Sequence, residues 1–286
     1  MIPGLLKNRF IDLKYIIRLF KNHRKLHNTK FSFALFFLFW IFYPVSRLFL
    51  GREKASSSIV RRFMKGNLII PVLMESCQPR FIGIRDITDF DAFREVCIED
   101  HYNFAQLKPG MIVVDLGAHI GLFALPASFK VGREGKIIAI EPEMENFKKI
   151  SENLALNKID NVILVNIGIS DSNGEEDFFI HQSYGSHSFF RPESFIDKIR
   201  IKVKTLDSLL DELKIDKVDM IKIDTEGAEM KILKGAKETL ANNPKIKMAI
   251  AAYHYPKETE EVVNYLKKLN FSPEISRGQF GLVLLK

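Results

Sequence analysis

The feature that most constrains the fold is an alternation of short apolar runs with amphipathic stretches, which begins near residue 107. Apolar runs predict strands at residues 111–115, 136–140, 162–167, 218–223 and 247–252. Amphipathic stretches predict helices at residues 120–129, 144–157, 229–241 and 258–269. Strands that alternate with helices in this way are typical of a parallel sheet covered on both faces. We therefore expect an α/β fold with a doubly wound, mostly parallel sheet.

The first 65 residues differ from the rest of the chain in charge. They contain 14 Lys and Arg but only Asp12 and Glu53 as acids, a net charge of +12, whereas residues 66–286 carry −5. Residues 5–20 predict a basic amphipathic helix, and residues 31–43 form an almost wholly apolar, Phe-rich run. That run is shorter than the roughly 20 apolar residues of a bilayer span. Three alternatives stay open for this extension: attachment at a membrane surface, a helical cap on the catalytic domain, or a single span.

The domain boundary is predicted near residue 65, after a small and polar connector at residues 51–58. Residues 1–65 then form a helical extension and residues 66–286 the main domain, with its core at about 107–286. The aromatic block of the extension is not interleaved with basic residues, so no nucleic-acid partner is expected. Cys77 and Cys97 cannot make a disulfide framework, which favours a cytoplasmic location, at the membrane periphery if the extension binds lipid.

The first strand of the pattern ends in a candidate ligand loop. Asp115 closes the strand, and Gly117 and Gly121 follow it. Ligands of doubly wound sheets bind beyond the carboxyl ends of strands, where glycines allow close backbone approach. The spacing G-x-x-x-G, with an acid before it, differs from the G-x-G-x-x-G of a dinucleotide site. The acid suits a ligand with a cationic amino-acid part; a plain tight turn is the structural alternative.

The next two strand ends carry polar residues that suit a nucleoside. Glu141, before Pro142, could accept hydrogen bonds from ribose hydroxyls, although an acid at a helix start is the alternative. After the third strand, Gly168 would permit close backbone approach, and Ser170 or Asp171 could meet an adenine amino group. An ordinary polar turn is the alternative at that strand end.

The last two strand ends are the richest in ionisable groups. Asp224, Glu226 and Glu229 follow the fourth strand, and His254 follows the fifth. Asp224 is expected to project into the crevice, whereas Glu229 could equally be a first-turn helix acid. His254 is a candidate general base because imidazole titrates near neutral pH, and a hydrogen-bonded structural histidine is the alternative.

In their order along the chain, these residues resemble the FkbM-type methyltransferases, a family with the class I S-adenosylmethionine fold. The resemblance covers roughly residues 80–256. It rests on residues 115–121, Glu141-Pro142, and residues 166–171, 203–207 and 222–229, with weaker upstream similarity at Arg85, Asp89 and Tyr102. Two positions depart from the family pattern: His119 stands where Asn is usual, and the acid common two residues before His254 is missing.

The resemblance implies S-adenosylmethionine as the cofactor and methylation of a hydroxyl oxygen, commonly on sugars, glycans or polyketide products. It implies that Asp115, Gly117 and Gly121 hold the methionine end, Glu141 the ribose and Asp171 the adenine. The remaining predicted cofactor contacts are Ala118, His119, Pro142, Gly168, Ser170 and Asp224.

The predicted reaction is an in-line displacement in which an acceptor oxygen attacks the sulfonium methyl group. A base is expected within hydrogen-bond reach of that oxygen, and the candidates are His254 or Asp224, then Glu226. His187 lies in a stretch that could close over the acceptor. Asp224, Glu226 and His254 could also supply metal ligands, but no tight ligand spacing supports them, so no metal is predicted.

Two alternatives come from other classes of protein. A nicotinamide-dependent oxidoreductase would share the sheet and Glu141, but its G-x-G-x-x-G is missing and an acid precedes Gly117. A non-catalytic, membrane-associated binding protein would keep the fold as a relic, which the intact set of strand-end acids disfavours.

Overall fold

The computed structural model describes residues 68–72, 80–85, 87–181, 188–189, 195–276 and 282–285. The chain divides into two compact units, one ending at Asp100 and including residues 155–158, and one made of residues 101–154 and 159–286. The boundary near residue 65, the predictions for residues 1–65 and the prediction for His187 lie outside the described residues. Among the helices that are described, none is long and apolar enough to cross a membrane.

The first unit contains an antiparallel pair of strands, β1 (Leu68–Val72) and β2 (Arg80–Ile84), followed by helix α1 (Ile87–Phe93). Asn157 exchanges two hydrogen bonds with the backbone of Phe81, at 2.9 and 2.6 Å. Asp89 is fully buried and accepts hydrogen bonds from the backbone and guanidinium of Arg85. Two of the three residues of the weaker upstream similarity, Arg85 and Asp89, are therefore a structural pair within this unit.

The second unit contains the predicted alternation of strands and helices. Its elements are, in chain order, β3 (Ile112–Leu116), α2 (Ala124–Val131), β4 (Lys136–Ile140), α3 (Met144–Leu156), β5 (Val162–Val165), β6 (Gly168–Ile169), β7 (Gly174–Ile180), β8 (Asp197–Lys204), α4 (Leu206–Glu212), β9 (Met220–Ile223), α5 (Glu229–Lys234), α6 (Lys237–Asn242), β10 (Lys247–Ala251), α7 (Glu258–Lys268), β11 (Glu274–Ile275) and β12 (Leu282–Leu285).

The main sheet has the strand order β11-β12-β10-β9-β3-β4-β5. Strands β10, β9, β3, β4 and β5 are parallel to one another, and β12 joins β10 in the antiparallel sense. Strands buried on both faces read as continuous apolar runs, and those of β3, β4, β9 and β10 are almost wholly buried. The doubly wound, mostly parallel sheet expected from the sequence is confirmed.

The order of the strands reverses beside β3. The chain continues from β3 to β4 and β5 on one side, and later adds β9 and β10 on the other. Ligands of such sheets bind at this topological switch point, beyond the carboxyl ends of the strands. The fold therefore brings the ends of β3, β4, β9 and β10 to one edge of the sheet.

A second, three-stranded sheet was not predicted. It has the order β6-β8-β7, with β8 antiparallel to β7. Strand β8 alternates Lys198, Arg200 and Lys202 with Ile199, Ile201 and Val203, the period of a strand with one solvated face. The signal was therefore present in the sequence.

Three helix predictions differ from the structure. The helix expected from residue 120 begins at Ala124, because His119 and Gly121 have φ of 53° and 86° and form a turn. The helix expected at 229–241 divides into α5 and α6 at Gly235, where an added Cβ would lie 2.1 Å from the Ser170 carbonyl oxygen. The amphipathic pattern of residues 144–157 also admits Leu156 to the buried side of α3, but Leu156 is 44% exposed.

Candidate functional site

The ends of β3 and β9 meet at Gly117. This residue has φ of 73°, a conformation that favours glycine, and an added Cβ would lie 1.9 Å from the carbonyl oxygen of Asp224. The backbone N–H groups of Gly117 and Ala118 both donate to the carbonyl of Ile140, at 3.2 and 3.0 Å. Gly117 is therefore required where the strand ends pack together, whatever it contributes to a ligand.

Asp115 is fully buried at the end of β3 and lies beside Lys222 of β9. The Lys222 ammonium is 3.1 Å from Asp115 Oδ1 and donates to the carbonyls of Leu116 and Gly117, at 3.2 and 2.7 Å. Burial raises the pKa of Asp115, although the positive charge of Lys222 opposes that rise. Lys222 thus fixes both the carboxylate and the turn of the candidate cofactor loop.

Glu141 is buried at the end of β4 and organises two loops. It accepts hydrogen bonds from the backbone N–H of His119 at 2.8 Å, the backbone N–H of Glu143 at 3.1 Å and the Asn146 amide at 3.3 Å. Burial raises the pKa of Glu141, although these hydrogen bonds oppose that rise. A carboxylate offers about four acceptor positions, and these three hydrogen bonds fill three of them.

After the third predicted strand, the residues expected to contact a ligand differ in how far they are exposed. Gly168 lies in β6, and an added Cβ would come within 2.4 Å of the Phe189 ring, so this glycine makes room for a side chain. Ser170 is buried and its hydroxyl donates to Glu176, whereas Asp171 is exposed. Of these three residues, Asp171 has the side chain most open to a ligand.

Asp224, Glu226 and His254 come together at the ends of β9 and β10. The Nε2 atom of His254 lies 3.4 Å from Asp224 Oδ1 and 3.9 Å from Glu226 Oε1. The second oxygen of Asp224 accepts a hydrogen bond of 2.5 Å from the hydroxyl of Tyr102. The His254 side chain is 7% exposed, whereas those of Asp224 and Glu226 are 27% and 35% exposed. We call these three residues the strand-end triad.

Two buried acids face the other side of the same imidazole. Nδ1 of His254 lies 3.5 Å from Glu229 Oε1 and 3.4 Å from Glu258 Oε2, and both carboxylates are inaccessible to solvent. Glu229 also accepts hydrogen bonds from the N–H and hydroxyl of Thr225, and Glu258 accepts one from the N–H of His254. These acids therefore shape the loops that present the triad.

Several carboxylates share one imidazole, and their pKa values move in different directions. Burial alone would lower the pKa of His254, but Asp224, Glu229 and Glu258 raise it far above its usual range. Burial would raise the pKa of Asp224, but His254 and Lys222 hold it below its usual range. Burial and the neighbouring acids raise the pKa of Glu226 to about 8, against the opposing effect of His254.

Sequence reasoning missed three contributors to this region. Glu258 is an i+4 neighbour of His254, a spacing visible in the sequence. Lys222 lies within the family motif and Tyr102 within the weaker similarity, but no local pattern marks their roles, because their contacts join distant parts of the chain. The two positive-φ residues Glu226 and Gly227 shape the triad loop, and nothing in the sequence marks Glu226 for that conformation.

Residues 115–273 match the model of the methyltransferase FkbM domain, which is more than half of the chain. The methyltransferase sdnD of Sordaria araneosa is 27% identical over 59% of this chain and 76% of its own length. The 2-O-methyltransferase NoeI of Sinorhizobium fredii is 24% identical over 79% of this chain and 98% of its own. The hexuronic acid methyltransferase AglP of Haloferax volcanii is 26% identical over 58% of this chain and 65% of its own.

Proposed function

The chain belongs to the FkbM methyltransferase family, and from this premise we propose that it transfers the methyl group of S-adenosylmethionine to a hydroxyl oxygen of a sugar or glycan. The observation that carries the proposal is the convergence of Asp115, Glu141 and the strand-end triad at the switch point of the sheet. Family membership also favours methyl transfer over the nicotinamide oxidoreductase alternative.

The residues at the ends of β3 and β4 fit the cofactor. The carboxylate of Asp115 is buried, pairs with Lys222 and has the backbone N–H of Ala124 directed at it, so part of its acceptor capacity is unused by these two groups. That spare capacity suits the ammonium group of a methionine moiety. Glu141 would accept a hydrogen bond from a ribose hydroxyl. When bound, S-adenosylmethionine supplies an electrophilic methyl carbon on a sulfonium, and the sulfur keeps the electron pair of the broken bond.

The strand-end triad would meet the acceptor hydroxyl. As the oxygen–carbon bond forms, the oxygen–hydrogen bond must break and a nearby base must take the proton. Both ring nitrogens of His254 face carboxylates, and one oxygen of Asp224 is held by Tyr102. Glu226 is the most exposed member of the triad, and its raised pKa of about 8 makes its ionised form a stronger base than an ordinary carboxylate, so this form is best placed to take the proton.

The names of two relatives support the acceptor class. NoeI is a 2-O-methyltransferase, and AglP is a hexuronic acid methyltransferase. An acceptor with sugar hydroxyls is consistent with both names and with a crevice lined by carboxylates, since carboxylates accept hydrogen bonds from hydroxyl groups.

The test is the transfer of a radiolabelled methyl group from S-adenosylmethionine to oligosaccharides that contain neutral sugars or hexuronic acids. We expect label in a product that resists mild alkali, as a methyl ether does. Glu226→Gln should lower kcat by about 100-fold or more, because it removes the base. Glu260→Gln, which removes an exposed acid from α7, should leave kcat unchanged. Label in a base-labile ester or on nitrogen would contradict transfer to a hydroxyl.

A further inference from the structure

The strand-end triad has the donor set and spacing of a metal site. One carboxylate oxygen each of Asp224 and Glu226 and one ring nitrogen of His254 all lie within 4.8 Å of one another. Bonds of about 2.1 Å to a divalent ion place neighbouring donor atoms about 3.0 Å apart in an octahedron and about 3.4 Å apart in a tetrahedron. The separations of 3.4 and 3.9 Å from His254 Nε2 to the two carboxylates need only a small closure to match.

The state of His254 is an independent sign of a ligand. Its side chain is 93% buried, yet neither ring nitrogen makes a hydrogen bond with any described residue. Buried polar atoms almost always have a hydrogen-bond partner. Nε2 of His254 instead meets Asp224 and Glu226 at 3.4 and 3.9 Å, as ion pairs without hydrogen-bond geometry. A cation bonded to Nε2 would supply that partner.

The other face of the imidazole has the surroundings usual for a metal-bound histidine. Such a histidine donates its second ring N–H to a carboxylate, which fixes the ring and its tautomer. Nδ1 of His254 lies 3.4 Å from Glu258 and 3.5 Å from Glu229, two buried acids. Nε2 is thereby directed at Asp224 and Glu226, while Tyr102 orients Asp224 through its second oxygen.

The balance of charge also favours a cation. Four carboxylates, those of Asp224, Glu226, Glu229 and Glu258, surround one imidazole. The ammonium of Lys222 is directed at Asp115 and at two backbone carbonyls. Buried charges are costly unless paired, and a divalent cation would offset more of this negative charge than a proton on His254 alone.

We propose that Asp224, Glu226 and His254 bind one divalent cation of the Mn²⁺ class, with Glu258 and Glu229 as positioning residues. Two carboxylates and one imidazole make a mixed oxygen and nitrogen donor set, which suits Mn²⁺ better than Mg²⁺ or a thiolate-seeking ion. The role of the cation rests on the proposed function: its open positions would hold the acceptor hydroxyl and lower its pKa. The proton of that hydroxyl would pass to the second oxygen of Glu226.

The test is a titration of metal-stripped, full-length protein with Mn²⁺, read by the electron paramagnetic resonance signal of free Mn²⁺. S-adenosylmethionine and acceptor are both left out. We expect one Mn²⁺ per chain and at least about tenfold weaker binding in Asp224→Asn and in Glu258→Gln. Asp211→Asn, an exposed acid in a separate acidic region around α4, should bind Mn²⁺ as the parent does.

Circular dichroism shows which variants are folded, and Glu226→Gln, whose side chain is the more exposed of the two, replaces Asp224→Asn if the latter does not fold. Absence of Mn²⁺ binding, or equal binding in the triad and Asp211 variants, overturns the proposal. A parallel titration with S-adenosylhomocysteine separates the two proposals. If S-adenosylhomocysteine binds and Mn²⁺ does not, the metal site is wrong and the methyltransferase proposal stands. If Mn²⁺ binds and S-adenosylhomocysteine does not, the methyltransferase proposal is wrong and the metal site stands.

Discussion

Substituting alanine at Gly117 should disrupt the site far more than the same change at another glycine with positive φ. Gly117 and Gly110 have similar φ values, 73° and 82°, so alanine meets comparable backbone strain at both, about 1–2 kcal/mol. At Gly110 an added Cβ has nothing within 4 Å, whereas at Gly117 it would lie 1.9 Å from the Asp224 carbonyl oxygen. The pair thus separates the cost of backbone strain from the cost of steric overlap.

The overlap at Gly117 sets the size of the effect. A Cβ does not approach another heavy atom closer than 3.0 Å, so the end of β9 must move by more than 1 Å or the turn must change. We expect Gly110→Ala to lower the free energy of unfolding by about 1 kcal/mol and Gly117→Ala by about 4 kcal/mol or more.

Urea denaturation followed by circular dichroism measures both values, and titration with S-adenosylhomocysteine reports the damage to the site. Gly110→Ala should bind S-adenosylhomocysteine as the parent does. Equal losses of stability in the two variants would show that β3 and β9 do not pack as described.

Three further predictions concern charge. Lys222→Met should lower the free energy of unfolding in urea by about 3–5 kcal/mol, because it leaves Asp115 buried without its cation. The double variant with Asp115→Asn should recover part of that stability, and no recovery would refute the pairing. Asp207→Ala should lower the free energy of unfolding by about 1–2 kcal/mol, because Asp207 accepts hydrogen bonds from the first turn of α6, including the N–H and hydroxyl of Thr239. The control is Asp211→Ala, which removes an exposed acid, and an equal loss of stability there would contradict this role. We propose that the net charge of +12 in residues 1–65 brings the full-length protein to anionic membranes. The protein should then float with anionic vesicles at low salt and less at high salt, and flotation with neutral vesicles but not with anionic ones would contradict this.

The sequence predicted the sheet because parallel strands buried on both faces leave continuous apolar runs. It also predicted ionisable residues at the carboxyl ends of β9 and β10, and the structure brings Asp224, Glu226 and His254 together there. Their roles in catalysis and cofactor binding stay predictions.

Contacts between distant parts of the chain were beyond the reach of sequence patterns. Gly168 was expected to contact a ligand, which stays a prediction, and Gly235 was expected to lie within a helix. The structure shows a separate reason for glycine at both positions, because Phe189 and the Ser170 carbonyl occupy the space of a Cβ. The pairing of Lys222 with Asp115 joins residues more than 100 positions apart. Local periodicity carries no information about such neighbours.

The most direct test of the central claim is a calorimetric titration of the full-length protein with S-adenosylhomocysteine, with a nicotinamide dinucleotide in parallel. We expect one bound S-adenosylhomocysteine per chain, no dinucleotide binding, and loss of S-adenosylhomocysteine binding in a folded Asp115→Asn variant but not in Asp211→Asn. Folded protein that fails to bind S-adenosylhomocysteine, or that binds it equally well with Asp115 replaced, would contradict the cofactor site at the ends of β3 and β4.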